Sequence, residues 1–308
     1  MHFKLIYGHH WNFGLAVEDT LVMLKYTLEN LGHRADIERD FCPGYINIVQ
    51  ECFSDENVKE IEACLSKGMQ IIIIATEIIT DGTFNNFWKD SNGPKPENSP
   101  YLDLKYWSDR YKNFLKIGKH ALGIWHFFDG AIDSYKEAMG HGRVWYLPHG
   151  YVPQLECVNH LPEKEKDIDF LFTGVISNYR QDILDRLRAE GFNVYNTHRL
   201  TPPFHRLDLL RRSKICLHMM HYPNWPYPSP TRYYYHMMNS SLLISEKTEL
   251  ECDIQKYIFT AEDDFVSECL RLHKQGNYTE NAKLKLEQFS QEMKMTDFIS
   301  KLLGELVI

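Results

Sequence analysis

Arg180 and Arg232 are the residues whose chemistry is easiest to read from this sequence. Arg180 lies six residues past the apolar run D-I-D-F-L-F-T-G, and Arg232 opens a helical segment, T-R-Y-Y-Y-H-M-M-N. A planar guanidinium meets phosphate oxygens two at a time, and a helix N-terminus adds backbone N–H groups that also favour anions. The plain alternative for each arginine is a surface carboxylate. Gly174 closes the first run, where a missing Cβ lets backbone approach a ligand closely or simply turn. Glu246 ends the apolar run L-L-I-S-E, placed either to accept from a ligand hydroxyl or to start the next helix. His218 and His221 close S-K-I-C-L-H-M-M-H; one of them can reach a bound anion, while His218 reads first as a core histidine. Tyr222 begins Y-P-N-W-P-Y, a proline-stiffened aromatic loop that stacks on a flat ligand or merely packs. The H-x-x-H spacing suits a metal poorly at a strand end, and no acidic third ligand is near in sequence, so no metal site is expected.

The front half offers groups of the opposite kind. Glu77 stands where the run I-I-I-I-A-T-E gives out, and partial burial at a strand end would raise its pKa into the range of a working general base. Its plain alternative is a carboxylate that caps the following turn. His9 and His10, in the loop G-H-H-W-N-F-G, come next because an imidazole titrates near neutrality. Asp129, at the end of A-L-G-I-W-H-F-F-D, is the third candidate.

The elements that must hold these residues read as alternating strands and helices. Phe3 to Tyr7 is a short strand, followed by a helix from Leu15 to Asn30 that Gly32 can end, and a second strand in R-A-D-I-E-R. A helix over Asn57 to Lys67 precedes the four isoleucines, which suit a central parallel strand buried on both faces. The segment Asp90 to Pro100 is turn-rich, Tyr101 to Lys116 is helical, and strands follow near Trp125 and Trp145. Pro153, Pro162 and the charged E-K-E-K-D run mark a linker. After it the alternation restarts, with strands at Ile168 to Thr173, Phe192 to Tyr195, Ile215 to Met219 and Leu242 to Ser245. Helices lie between them, and a helix-rich tail follows. The reading is α/β: two doubly wound Rossmann-like domains facing each other across a cleft, 1–155 and 156–308, with the last helices returning to the first. Such folds bind ligands at the carboxyl ends of their strands, so the Gly, Arg, His and Glu of the second domain outline a nucleotide pocket. The missing G-x-G-x-x-G after the first strand disfavours a dehydrogenase.

Composition narrows the field. With 44% hydrophobic and 25% charged residues the chain is globular, and its net charge of −8 speaks against a nucleic-acid partner. The basic patch from Arg206 to Lys214 reads as a solvated helix face. Seven scattered cysteines without a C-x-x-C pair suit reduced thiols in the cytoplasm. No stretch reaches the ~18 apolar residues of a membrane span, and the N-terminus has no signal-peptide pattern.

At D-I-D-F-L-F-T-G, S-K-I-C-L-H and T-R-Y-Y-Y-H-M-M-N-S-S-L-L-I-S-E the chain resembles GT-B glycosyltransferases. More narrowly it is similar to the bacterial and viral group that includes spore-maturation-protein-like transferases. The likeness runs from about Ile71 to Glu246 and takes in I-I-I-I-A-T-E and the corner at Pro148, Gly150 and Tyr151. It implies transfer of a sugar from a nucleotide-sugar donor to a hydroxyl of a glycan or other acceptor. Gly174, Arg180, His218, His221, Tyr222, Arg232 and Glu246 would then lie on the donor side, with Glu77, His9, His10 or Asp129 as base. No D-x-D stands where a metal-dependent GT-A enzyme needs one, so the expected reaction uses no metal and no cofactor. The Glu-x7-Glu signature of many retaining members is replaced by Tyr227 and Tyr235, so inversion is the expected course. Two other readings stay open: a two-domain protein that binds a nucleotide or sugar without turnover, and a nucleotide-sugar epimerase on the same architecture.

Overall fold

The computed structural model describes residues 1–9, 14, 15, 17–51, 54–86, 103–197, 201–223 and 225–306. His10 and the segment Asp90 to Pro100 lie outside the described residues. The chain divides into two compact units, Met1–Pro148 with Met295–Ile308, and His149–Lys294. The sequence reading put the division at 155. In the structure His149 packs against the Tyr234 ring, 5.0 Å between centroids, and the Tyr151 N–H donates to Met293, so these residues group with the second unit.

The first unit begins β1 (His2–Ile6), α1 (Glu18–Asn30), β2 (Arg34–Glu38), β3 (Ile46–Gln50), α2 (Asp55–Ser66) and β4 (Gln70–Ala75). A small hairpin follows, β5 (Ile79–Thr80) and β6 (Thr83–Phe84), then α3 (Leu104–Gly118), β7 (Gly123–His126), α4 (Ile132–Met139) and β8 (Val144–Tyr146). Six strands, all parallel, stand in the order β2-β1-β3-β4-β7-β8. The isoleucines of β4 occupy the interior of this sheet, with Ile71 to Ile74 each 0% exposed, as β-branched residues covered on both faces should be. The hairpin turns on Asp81 and Gly82, both with positive φ, which a two-residue Asp-Gly turn supplies at little strain.

The second unit holds β9 (Ile168–Phe172), α5 (Asn178–Ala189), β10 (Val194–Asn196), α6 (Pro203–Arg212), β11 (Ser213–His218) and α7 (Pro230–Met238). It continues with β12 (Leu243–Glu246), β13 (Phe259–Ala261), α8 (Phe265–Gln275) and α9 (Tyr278–Glu292). Its five parallel strands are ordered β10-β9-β11-β12-β13. Phe170, Phe172, Leu184, Ile215 and Leu217 form the centre of its core. Of the helix-rich tail, only α10 (Met295–Glu305) belongs to the first unit, where it lies against α1. Among the described residues no helix is long and apolar enough to cross a membrane. Cys42, Cys64, Cys157, Cys216, Cys252 and Cys269 are free.

Burial lowers the pKa of His33, His126, His149, His160, His218, His221 and His236. All but His33 and His126 belong to the second unit. His160 shows the pattern: its Nε2–H donates to the Asn239 carbonyl at 2.7 Å, and its Nδ1 accepts from the Lys166 ammonium at 3.3 Å. Protonating it would set two cations side by side, and its pKa falls to about 4. A histidine held neutral by the fold contributes stability that is present above its unfolded pKa and is lost as pH falls toward the folded one. Thermal stability should therefore drop between about pH 6.5 and 4. Amide exchange, corrected for intrinsic rates, should rise more in 149–294 than in 1–148 on going from pH 7 to 5. Equal changes in both units would contradict this account.

Candidate functional site

At the carboxyl edge of the first sheet, β3 and β4 each end in a glutamate. Glu51 follows β3, and its side chain is 2% exposed; Glu77 follows β4, and its side chain is 21% exposed. Arg110 of α3 reaches both, with Nη2 donating to Glu51 Oε1 at 3.0 Å and Glu77 Oε1 at 3.3 Å. Asn85, after the hairpin, donates to Glu77 Oε2 at 2.5 Å. The other Glu51 oxygen accepts from Thr76 N (2.8 Å), Thr76 Oγ1 (2.7 Å) and Glu77 N (3.2 Å). The Glu77 carbonyl accepts from Tyr135 Oη at 2.7 Å and His126 Nε2 at 3.0 Å. Since the Phe128 N–H donates to His126 Nδ1 at 3.0 Å, this imidazole is the neutral Nε2–H tautomer.

Two carboxylates thus share one guanidinium. Burial, and then the Glu51 charge, push the Glu77 pKa up to about 8, against the pull of Arg110 and Asn85. Glu77 is the acid of the pair that reaches solvent, and its surroundings favour its protonated form. It was named from the sequence; Glu51, Arg110 and Asn85 were not. The signal for Glu51 was the run I-N-I-V-Q-E after Gly44, a shorter copy of I-I-I-I-A-T-E. His9 has other neighbours: its Nδ1 lies 3.4 Å from Asn57 Oδ1 and 3.5 Å from Glu60 Oε2, and its ring is 4.8 Å from Phe41. Asp129 is exposed at the start of a short 3-10 turn after β7. Neither is a partner of the Glu77 side chain.

In the second unit both arginines lie beside one aromatic ring. The Phe172 centroid is 5.1 Å from Arg180 Cζ and 5.6 Å from Arg232 Cζ. Arg180, from the first turn of α5, is 5% exposed. Its Nε donates to Met219 O (3.1 Å) and Met220 O (3.0 Å), Nη1 to Val175 O (2.7 Å) and His221 Nδ1 (3.1 Å), and Nη2 to Met219 O (2.7 Å). Most of its donor directions therefore clamp the loops after β9 and β11. This is not the open fork expected of a phosphate contact. Burial and the Arg232 charge both work against its own charge.

Arg232 is different. It sits in the first turn of α7 and is half-buried, and among the described residues its guanidinium has no hydrogen bond and no carboxylate partner. It approaches the backbone at Gly174, where an added Cβ would stand 2.9 Å from Nη2 and 3.1 Å from the Phe172 ring. The positive φ of Gly174, 154°, also disfavours a side chain there.

Glu246, at the end of β12, is 6% exposed and accepts from the Tyr179 hydroxyl and, at 2.6 Å, from Met220 N. Burial raises its pKa, opposed by these donors and by Arg180. It also borders a cavity of about 280 Å³ lined by Tyr179, Arg186, Met220, Lys247 and Phe265. His218 is a core histidine: Nδ1 bonds Ser245 Oγ at 2.9 Å, and Ser245 also bonds Tyr233 Oη at 2.9 Å. Tyr222 is buried with its ring edge against His221, 4.3 Å between centroids. Gly174, Arg180, His221, Arg232 and Glu246 are thus brought to one sheet edge. Tyr179 was missed; its hydroxyl acts only through the fold of α5 onto Glu246. Among the described residues no group of three or more His, Cys, Asp or Glu is placed to hold a metal ion.

No family model and no curated protein matches the sequence. Solved structures do match. Anabaena HepE in complex with UDP superposes with a TM-score of 0.52 at 10% identity, over 99% of this chain and 100% of HepE. The DNA-modifying β-glucosyltransferase, solved with and without its substrate uridine diphosphoglucose, gives 0.54 at 9%, over 99% and 100%. TarM gives 0.54 at 8%, over 86% of this chain and 55% of its own, so this chain spans about half of TarM. The fold is GT-B. At these identities the likeness carries the architecture and leaves the activity to be argued from the residues.

Two consequences of this GT-B edge can be measured. Gly174→Ala should lower unfolding free energy by about 1–3 kcal/mol through its backbone conformation and the crowding of Arg232, read by urea denaturation; an unchanged midpoint would refute the close approach. Glu77, with its pKa raised on folding, costs nothing below its unfolded pKa and destabilises increasingly as pH rises toward about 8. The stability difference between Glu77→Gln and the parent should therefore shift toward the variant between about pH 4.5 and 8 and level off above that.

Proposed function

We propose that the protein is a glycosyltransferase that moves a sugar from a nucleotide-sugar donor to a hydroxyl of a glycan or other acceptor, without a metal and with inversion. The observation that carries this reading is Arg232: a half-buried guanidinium without a carboxylate partner among the described residues, on the first turn of a helix and against a glycine, at the carboxyl edge of a GT-B sheet. A buried cation without a counter-charge is costly. A phosphate oxygen would supply that charge and would also accept from the backbone at the start of α7. HepE and the β-glucosyltransferase, both of this fold, are described with UDP and uridine diphosphoglucose, and a uridine diphosphate sugar is the first donor to try. Within GT-B the spore-maturation-protein-like transferases remain the proposed kin.

Each step has a residue. Arg232 and the α7 N-terminus stabilise the diphosphate as it departs, while Arg180 keeps the loops after β9 and β11 in place around it. Glu77 takes the proton of the attacking hydroxyl. A base must be ionised to act, so turnover should rise with pH up to about 8, the pKa to which burial and Glu51 push Glu77. Inversion follows if that hydroxyl attacks the anomeric carbon directly, with no enzyme-bound sugar between.

Donor binding and transfer separate this proposal from its rivals. Arg232→Ala should weaken UDP binding by about tenfold to a hundredfold in calorimetry, as expected for loss of a charge-assisted contact. Glu77→Gln should bind UDP normally but lower transfer by about 10²–10⁴-fold. UDP binding with no turnover on any donor would make the protein a binding module. Interconversion of the donor sugar without an acceptor would make it an epimerase. Unchanged UDP affinity in Arg232→Ala would remove the donor site as described.

A further inference from the structure

We propose that Glu51 is a positioning residue for Glu77, fixing the turn that aims it and sharing Arg110 with it. The inference rests on the reading of Glu77 as the base. Glu51 is the more deeply buried of the two carboxylates, with a side chain 2% exposed against 21% for Glu77, so it cannot itself meet a substrate. Its Oε2 gathers three donors from two consecutive residues, Thr76 and Glu77, and so sets the direction in which the chain leaves β4. Its Oε1 takes Arg110 at 3.0 Å, closer than the 3.3 Å from Arg110 to Glu77. The guanidinium is therefore drawn toward Glu51 and only partly neutralises Glu77.

The other groups around Glu77 do not do this work. Asn85 donates to its carboxylate, and Tyr135 and His126 donate to its carbonyl, which holds the residue but adds no negative charge. Arg110 lies over the rings of Tyr106 (5.3 Å) and Trp107 (5.6 Å) and bonds the Tyr106 hydroxyl, which holds its guanidinium beside the first turn of α3. Glu51 is thus the acidic neighbour that competes for that cation. With it Glu77 can hold a proton near neutrality; without it the Arg110 charge would bear more fully on Glu77 and favour the ionised form.

The test is Glu51→Gln, which keeps an oxygen for the Thr76 and Glu77 N–H groups but removes the charge. Glu77 is titrated by difference infrared spectroscopy of the carboxyl band against Glu77→Gln, and the pH dependence of kcat/KM is measured in parallel. In the parent protein the Glu77 band should titrate well above pH 4.5; in Glu51→Gln it should move down by about one unit or more, with the acid limb of the rate profile following it. Glu51→Asp, which keeps the charge, should recover part of the shift. A Glu77 band that titrates at the same pH with and without the Glu51 charge overturns the proposal. If Glu51→Gln fails to fold, the parent titration decides: a Glu77 band near pH 4.5 overturns it, and one near neutrality that moves on Glu51→Asp supports it. The spectroscopic shift does not depend on turnover. Failure of transfer with an intact shift would count against the transferase reading and leave the Glu51 assignment standing.

Discussion

Among the described residues neither sheet edge balances its own charge, and the character of both sites follows from that. In the first unit two carboxylates, Glu51 and Glu77, meet one guanidinium, Arg110. In the second, two guanidiniums, Arg180 and Arg232, lie by Phe172, with Glu246 as the acid that bears on Arg180. Charges taken from water need partners. A proton on Glu77 can cancel the surplus in the first case. The second has no such recourse, because a guanidinium holds its proton at any physiological pH. Among the described residues nothing supplies the missing counter-charge to Arg232.

The two arginines divide that cost unequally. Arg180 is screened by the carbonyl oxygens of Val175, Met219 and Met220 and by His221, with a ring face beneath. Carbonyl dipoles stabilise a cation without adding charge, so Arg180 can stay buried while its field persists. That field is part of why His221 is held neutral, its pKa lowered first by burial and then by Arg180 and Arg232. Arg232 has no comparable screen among the described residues. A sheet edge with one arginine tied into the loops and one left open is suited to holding an anion in a fixed place.

How much of this was visible in the sequence depended on run length. β4, β9, β11 and β12 were legible because each carries or adjoins at least three consecutive apolar residues, and Glu77, Gly174 and Glu246 were found by their position at the ends of such runs. β3 was not read, because Asn47 interrupts its five residues. That asparagine is 0% exposed and turns inward to bond Cys42 and Tyr45 backbone atoms, a local use of a polar side chain that mimics a loop. Missing β3 meant missing Glu51. Arg110 was hidden differently: it sits among Asp109 and Lys112 in a helix that reads as a solvated face, and its acidic partners are far away in sequence. β13 was likewise too short to stand out.

Arg180 marks the limit of reading function from residue type. An arginine a few residues beyond a strand that ends in glycine suits a phosphate contact, and so does its place in the first turn of α5. What decides its use is where the carbonyls of a distant segment fall, and Met219 and Met220 lie some forty residues on. The Met219 carbonyl points at α5 because Glu246 takes the N–H of the same peptide, that of Met220. Glu246 is held in turn by the Tyr179 hydroxyl, one residue before Arg180. The loop after β11 is thus gripped from α5 twice, through Tyr179 by way of Glu246 and through Arg180 directly. A substitution at Tyr179, which contacts neither arginine's donors, would therefore change the position of Arg180 before it changed any charge.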